Sequence, residues 1–158
     1  KLILDDTYLV TSDIAAGNRP ERLEVIDLAS GGTIAMRSSE TGRYFVYNEA
    51  REELWSACLD ILGISSGCRE GRIDVFDTTT LTKILTIDPP TKMSQIGLPA
   101  LSQDGRYYYM PGAKVVNGRQ QIIVIDAATH TYIKDIPVGS IPNGVYMQGD
   151  NSVKPPLI

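Results

Sequence analysis

The chain has 158 residues, 42% of them hydrophobic, a net charge of −4 and a mean hydropathy of −0.08. That length supports one core, and the hydropathy is that of an ordinary globular domain. An acidic balance without a Lys/Arg cluster excludes a nucleic-acid footprint and a patch for acidic lipid head groups. No apolar run approaches the roughly 20 residues a membrane-crossing helix needs.

The sequence opens at Lys1 with neither a Met nor the charged-then-apolar layout of a signal peptide, which reads as a processed mature chain or a fragment. "DDTYLVTSD" then gives a tight turn at Asp6 and an aromatic-bearing strand. "RLEVIDLASGG" follows, a β-branched run closed by Asp27 and small polar residues. "TGRYFVYNEA", at Gly42, repeats the turn-then-aromatic-strand pattern. "RIDVFDTTTLTKI" repeats the run closed by Asp, at Asp77, and "KILTID" is the next strand. "IGLPALS", "QDGR", "YYYMP", "QIIVID", "AATH" and "TYIKDIPV" complete the clearest unit, with its Asp at Asp126. "SIPNGVYMQGDN" resembles the first strand of another. Dense β-branched and aromatic residues over four to six positions are strand chemistry, and Asp followed by Thr, Ser, Ala or Gly is turn chemistry. No helix-period segment exceeds two turns; Glu49 to Leu62 has room for one or two.

The three Asp residues stand 50 and 49 positions apart, a spacing typical of repeat folds. Four short strands per 40–50 residues describe a β-propeller blade. The expectation is an all-β chain of about three four-stranded antiparallel meanders, part of a larger or oligomer-completed propeller. The repeats fall at about 1–35, 36–92 and 93–139, with a further first strand at 140–151.

Aligning Asp6, Gly42 and Gly105 as the turns that open each second strand leaves two irregularities. The step from Gly42 to Asp77 is longer than the matching steps from Asp6 to Asp27 and from Gly105 to Asp126, which places an insertion within 49–70. The step from Asp27 to Gly42 is shorter than that from Asp77 to Gly105, so the first repeat reads as lacking about one strand. On this alignment the chain opens on a second strand.

"VIDAATHTYIKDIPVGSIPNGV", with "LSQDGRYYYM", resembles the YVTN-type β-propeller repeat of archaeal surface-layer propellers, periplasmic propellers and amine dehydrogenase heavy chains. The resemblance covers essentially the whole chain. It implies a fold more than a function, because the repeat residues build blades.

Few residues invite a chemical reading. His130, the sole histidine, sits in the turn "ATHT" and excludes paired-His and His-cluster metal sites. Asp27, Asp77 and Asp126 belong to equivalent turns of separate blades and should not converge. Asp5–Asp6 and Glu52–Glu53 read as solvated loop charge. No phosphate loop or nucleophile elbow is present. We therefore read no catalytic residue, metal or cofactor.

Cys58 and Cys68 are too few for a metal site and too far apart for a C-x-x-C pair. They fit a local disulfide in an oxidising compartment, against the alternative of two unrelated thiols. Such a staple would stabilise its loop by roughly 2–3 kcal/mol. The insertion also carries Leu54, Trp55, Leu59, Ile61, Leu62 and Ile64. These form either a partner-binding loop anchored by Trp55 or a cover for their own blade.

The function expected is a non-catalytic, extracytoplasmic scaffold that binds a protein partner or self-associates to complete the propeller, with neither nucleic acid nor membrane insertion. The alternative is a propeller subunit of a periplasmic oxidoreductase of amine dehydrogenase type, supporting a cofactor-bearing partner. A propeller hydrolase or lactonase has the least support.

Overall fold

Each β-branched run that ends in Asp becomes the third strand of a four-strand meander. The computed structural model describes residues 2–4, 8–13, 22–38, 44–57, 71–80, 82–114 and 119–139. The first sheet is β1 (Leu2–Leu4), β2 (Tyr8–Asp13), β3 (Arg22–Asp27) and β4 (Thr33–Ser38), paired in that order. The second is β5 (Tyr44–Asn48), β6 (Glu53–Ala57), β7 (Ile73–Asp77) and β8 (Thr82–Ile87). In the third, β9 (Met93–Ile96) and β10 (Ala100–Leu101) both lie along β11 (Tyr107–Lys114), which β12 (Gln120–Asp126) and β13 (Thr131–Pro137) follow. Gly97 and Pro99 break the line between β9 and β10, and the Gly97 N–H still reaches the Pro111 carbonyl at 2.9 Å.

All pairings are antiparallel. The first strands lie side by side, β5 against both β1 and β10, so the sheets fan out from their innermost strands. Because each sheet is a meander, the turns after first strands and after third strands share one end of the fan.

The registers overturn the alignment at Gly42. Tyr8, Glu53 and Tyr107 are the residues that pair with Asp27, Asp77 and Asp126. "YFVYN" is therefore a first strand, and the second strand of its sheet is "ELWSA". Measured from these second-strand starts, the first and third repeats reach their Asp in equal steps, and the second exceeds them only slightly. The short first repeat and the insertion were two faces of one misplacement. Nor does the chain open on a second strand: Leu2–Leu4 pairs with Tyr8–Val10 as the first. Leu54 and Trp55 lie in β6, not in a loop, and Glu49–Arg51 forms one 3₁₀ turn before it. The link between β6 and β7 spans 58–72. Positions 58–70, with Cys58, Leu59, Ile61, Leu62, Ile64 and Cys68, lie outside the described residues, as do Asp5–Asp6 and the strand expected at 140–151.

The outermost strand of every sheet slips by one residue at the same place, opposite Val25/Ile26, Val75/Phe76 and Val124/Ile125. The extra residue is Ile34, Ile84 or Ile133. A bulge twists an edge strand away from other edges and weakens it as a template for pairing.

The core between the second and third sheets is Trp55, Ala57, Ile73, Val75 and Ile87 against Tyr108, Met110, Ile123, Ile125 and Ala127. Side chains alternate across a strand, so Leu54 and Phe76, also buried, turn to the opposite flank, toward the first sheet.

Candidate functional site

Glu53 begins β6 at the end of the fan where the turns gather, and its side chain is only 6% exposed. A buried carboxylate is costly unless it is hydrogen-bonded and paired. Three donors meet it: Trp55 Nε1 at 3.0 Å on Oε2, and Arg51 Nε at 3.3 Å and His130 Nε2 at 3.0 Å on Oε1. Arg51 and Trp55 belong to the second sheet, whereas His130 comes across from the β12–β13 turn of the third. Its backbone is left-handed there, at φ 56°.

Rings reinforce the crossing. His130 stacks on Trp55 with centroids 5.5 Å apart, and Trp55 stacks on Tyr108 at 4.9 Å. Trp55 and Tyr108 are fully buried. Burial pushes the Tyr108 phenol far above its ordinary pKa. A second link lies nearby: Asn48, closing β5, donates from Nδ2 to the Gly105 carbonyl at 2.7 Å. Gly105 has φ 67°, and a Cβ there would sit 2.5 Å from Asn48 Oδ1. Glycine thus serves both a left-handed turn and a close approach.

The repeated Asp residues act within their own turns. Asp27 accepts from the Ala29 N–H at 2.8 Å, Asp77 from Thr80 N–H at 2.6 Å, and Asp126 from Ala128 and Thr129 N–H at 2.9 and 3.0 Å. These bonds hold all three carboxyls below the ordinary carboxylate range, the backbone N–H of Ala29, Thr80 and Thr129 being the largest cause in turn.

Asp74, mid-β7, is 1% exposed on the flank toward the first sheet. The Thr86 hydroxyl donates to its Oδ1 at 2.5 Å, with Arg72 Nε at 3.6 Å and Lys83 Nζ at 3.8 Å; its Oδ2 has no hydrogen-bond partner.

The sequence places Glu53 among solvated charges and Trp55 on an insertion loop that either binds a partner or covers its own blade. In the structure Glu53 is buried, and Trp55 stands in strand β6 rather than in a loop and, at 0% exposure, packs inside this chain. Leu54, 2% exposed, is likewise interior. His130 does occupy a turn, but it also makes the cross-sheet bond. A histidine in the next repeat carries no local sign that it will meet Glu53; the signal that was available is the pairing register, which sets Glu53 opposite Asp77. Among the described residues, no three His, Cys, Asp or Glu side chains converge as a metal site, and no helix is long and apolar enough to cross a membrane.

No protein-family model matches the chain, and no curated protein is recognisably similar in sequence. Solved structures are similar in fold. Hydrazine synthase of Kuenenia stuttgartiensis superposes on 81% of the chain at 17% identity, with a TM-score of 0.58. The dihydro-heme d1 dehydrogenase NirN, in complex with DHE, superposes on 87% at 17% identity and 0.60, and the Dos1 propeller on 78% at 14% and 0.56. The chain spans 36%, 29% and 29% of those chains, respectively. Likeness at these identities carries the fold alone: the three fanned meanders are blades of a partial β-propeller.

Proposed function

We propose that this chain is a non-catalytic, extracytoplasmic β-propeller module of the YVTN type, acting as a structural or protein-binding scaffold. One observation carries the reading: the sole histidine and the buried Glu53 hold blade 2 to blade 3, with their polar groups directed at each other and at Trp55 and Arg51. A general base needs reach to a substrate proton, and this pair sits against a tryptophan face. The motif behind the YVTN resemblance works the same way, Asp126 shaping a turn and His130 fastening it to the preceding blade. The extracytoplasmic part rests on the spacing of Cys58 and Cys68, which suits a local disulfide of an oxidising compartment.

The test is purification of the protein with assays for lactone and ester turnover, an absorption spectrum and intact mass with and without reductant. No turnover and a gain of two hydrogens on reduction are expected. Turnover abolished by His130→Ala would overturn the non-catalytic reading, and an unchanged mass would remove the disulfide and the compartment inferred from it.

A second reading, a propeller portion of an oxidoreductase supporting a cofactor-bearing partner, is favoured by one observation: two of the similar structures are named as a hydrazine synthase and a dihydro-heme d1 dehydrogenase. Co-purification of a haem-bearing or chromophoric chain distinguishes it.

A further inference from the structure

The Asp turns of blades 1 and 3 each place a left-handed residue four positions after the Asp: Gly31 at φ 68° and His130 at φ 56°. A Cβ at Gly31 would meet nothing within 4 Å, so glycine answers there to backbone conformation alone. A side chain at such a position is strained, and strain of this kind persists where surrounding contacts hold it. For His130 those contacts belong to the other blade. Its Nε2 lies 3.0 Å from Glu53 Oε1, and its ring stacks on the Trp55 face at 5.5 Å.

Both contacts respond to charge, and an imidazole changes its charge between about pH 5 and 8. Facing an ionised carboxylate, which only accepts, Nε2 donates. A proton added at Nδ1 keeps that bond and makes it charge-assisted. The indole face also favours a cation within about 6 Å. The other charged groups around the ring do not cancel this gain. Arg51 shares Glu53 Oε1 at 3.3 Å, but its side chain is 35% exposed against 6% for Glu53, so water screens it more than the carboxylate. In the turn of His130 itself, Asp126 accepts from the Ala128 and Thr129 N–H groups and has Arg106 as its cation. Glu52 accepts from Thr79 Oγ1, and Asp104 from Ser102 Oγ and the Arg106 N–H.

We propose that proton uptake by His130 tightens the junction of blades 2 and 3, so that the packing of these blades is pH-sensitive and firmest in mildly acidic solution. A histidine that gains a carboxylate partner on folding stabilises in full below the ordinary imidazole pKa, about 6.5. That contribution is lost as pH rises through the folded value. When the ring loses its charge, the left-handed turn keeps its strain and loses part of what holds it. This deepens the scaffold reading and rests on it, because the contact so regulated is the one that joins the blades.

Trp55 is the only tryptophan and lies against the ring. Imidazolium quenches indole emission more strongly than neutral imidazole, so Trp55 reports the charge of His130. The experiment follows Trp55 emission and the melting temperature of the full chain from about pH 8.5 down to about pH 5. Wild type is expected to show one quenching step in that range. Its melting temperature should also gain about 2–4 °C between about pH 8 and 5.5, relative to variants that cannot titrate at this position. Those variants are His130→Asn and His130→Gly, which suit a left-handed turn and should lose the quenching step. Glu53→Gln should keep the step and lose the gain. A missing quenching step, or the same pH dependence of melting in wild type and the His130 variants, overturns the proposal; should Glu53→Gln fail to fold, that comparison decides alone. Neither result touches the non-catalytic scaffold reading, which fails separately on His130-dependent turnover.

Discussion

At the scale of single residues, the junction of blades 2 and 3 turns on Glu53 and Gly105. Removing the Glu53 carboxylate leaves the Trp55 N–H buried without its partner and takes the shared acceptor from Arg51 and His130. Losing the acceptor for a buried donor costs about 1–3 kcal/mol, and more where charge is involved. Glu53→Ala should therefore cost about 2–4 kcal/mol, whereas Glu53→Gln, which keeps an acceptor oxygen, should cost less. Thermal unfolding followed by Trp55 fluorescence measures both. A cycle with His130→Ala should return a coupling of about 1 kcal/mol; strict additivity would mean that the 3.0 Å contact contributes nothing. Gly105→Ala places a side chain in the left-handed region, at about 1–2 kcal/mol, and drives its Cβ into Asn48 Oδ1. Asn48→Ala relieves that clash, so the double variant should be less destabilised than the sum of the two single ones.

At the scale of elements, the Asp turns carry a pH dependence with a definite sign. Asp27, Asp77 and Asp126 are depressed in the folded chain by backbone N–H bonds. Their contribution is present above the ordinary carboxylate pKa, about 3.9, and is lost as pH falls through the lower folded values. Melting temperatures should hold between pH 7 and 5 as far as these groups are concerned and drop below pH 4. Asp126→Ala should lower stability at pH 7 and flatten that acid limb; an acid limb as steep as wild type would assign it to other groups. These turns were legible in the sequence because everything they need is local: a β-branched run, an Asp, and small residues whose N–H groups it reaches. The second strand of blade 2 was not legible, because "ELWSA" lacks the Gly-Arg-aromatic opening that "GRYFVYNEA" shares with blade 3. Only the pairing of Glu53 with Asp77, across the whole β6–β7 link, identifies it. The misplacement had left a trace in the sequence, since the excess after Gly42 and the deficit before it nearly cancel. The candidate site was hidden for the same reason. Glu53 and Trp55 are neighbours within β6, but His130 meets them only after two blades have folded and packed.

At the scale of the whole molecule, successive junctions differ in chemistry at equivalent positions. Between blades 2 and 3 the middle row of blade 3 is Met110, Ile123 and Asp135, the first two at 0% exposure, so that its central position is apolar. Between blades 1 and 2 the same row of blade 2 is Ser56, Asp74 and Thr86, with Asp74 Oδ2 unpartnered. Apolar contact at such a position stabilises by about 25 cal/mol per Å² removed from water, whereas a buried, incompletely paired carboxylate offsets part of that gain. The seam between blades 1 and 2 should therefore open first. Native-state hydrogen exchange read by mass spectrometry should show β12 and the β7 amides facing β6 exchanging only with global unfolding, and β2–β3 exchanging through a smaller, separate opening. Asp74→Leu paired with Lys83→Leu, which restores the apolar pattern of the other junction, should raise the protection of β2–β3 toward that of β12. If β2–β3 already match β12 in wild type, the polar row is fully compensated, and the three blades behave as one cooperative unit whose junctions are energetically alike despite their different side chains.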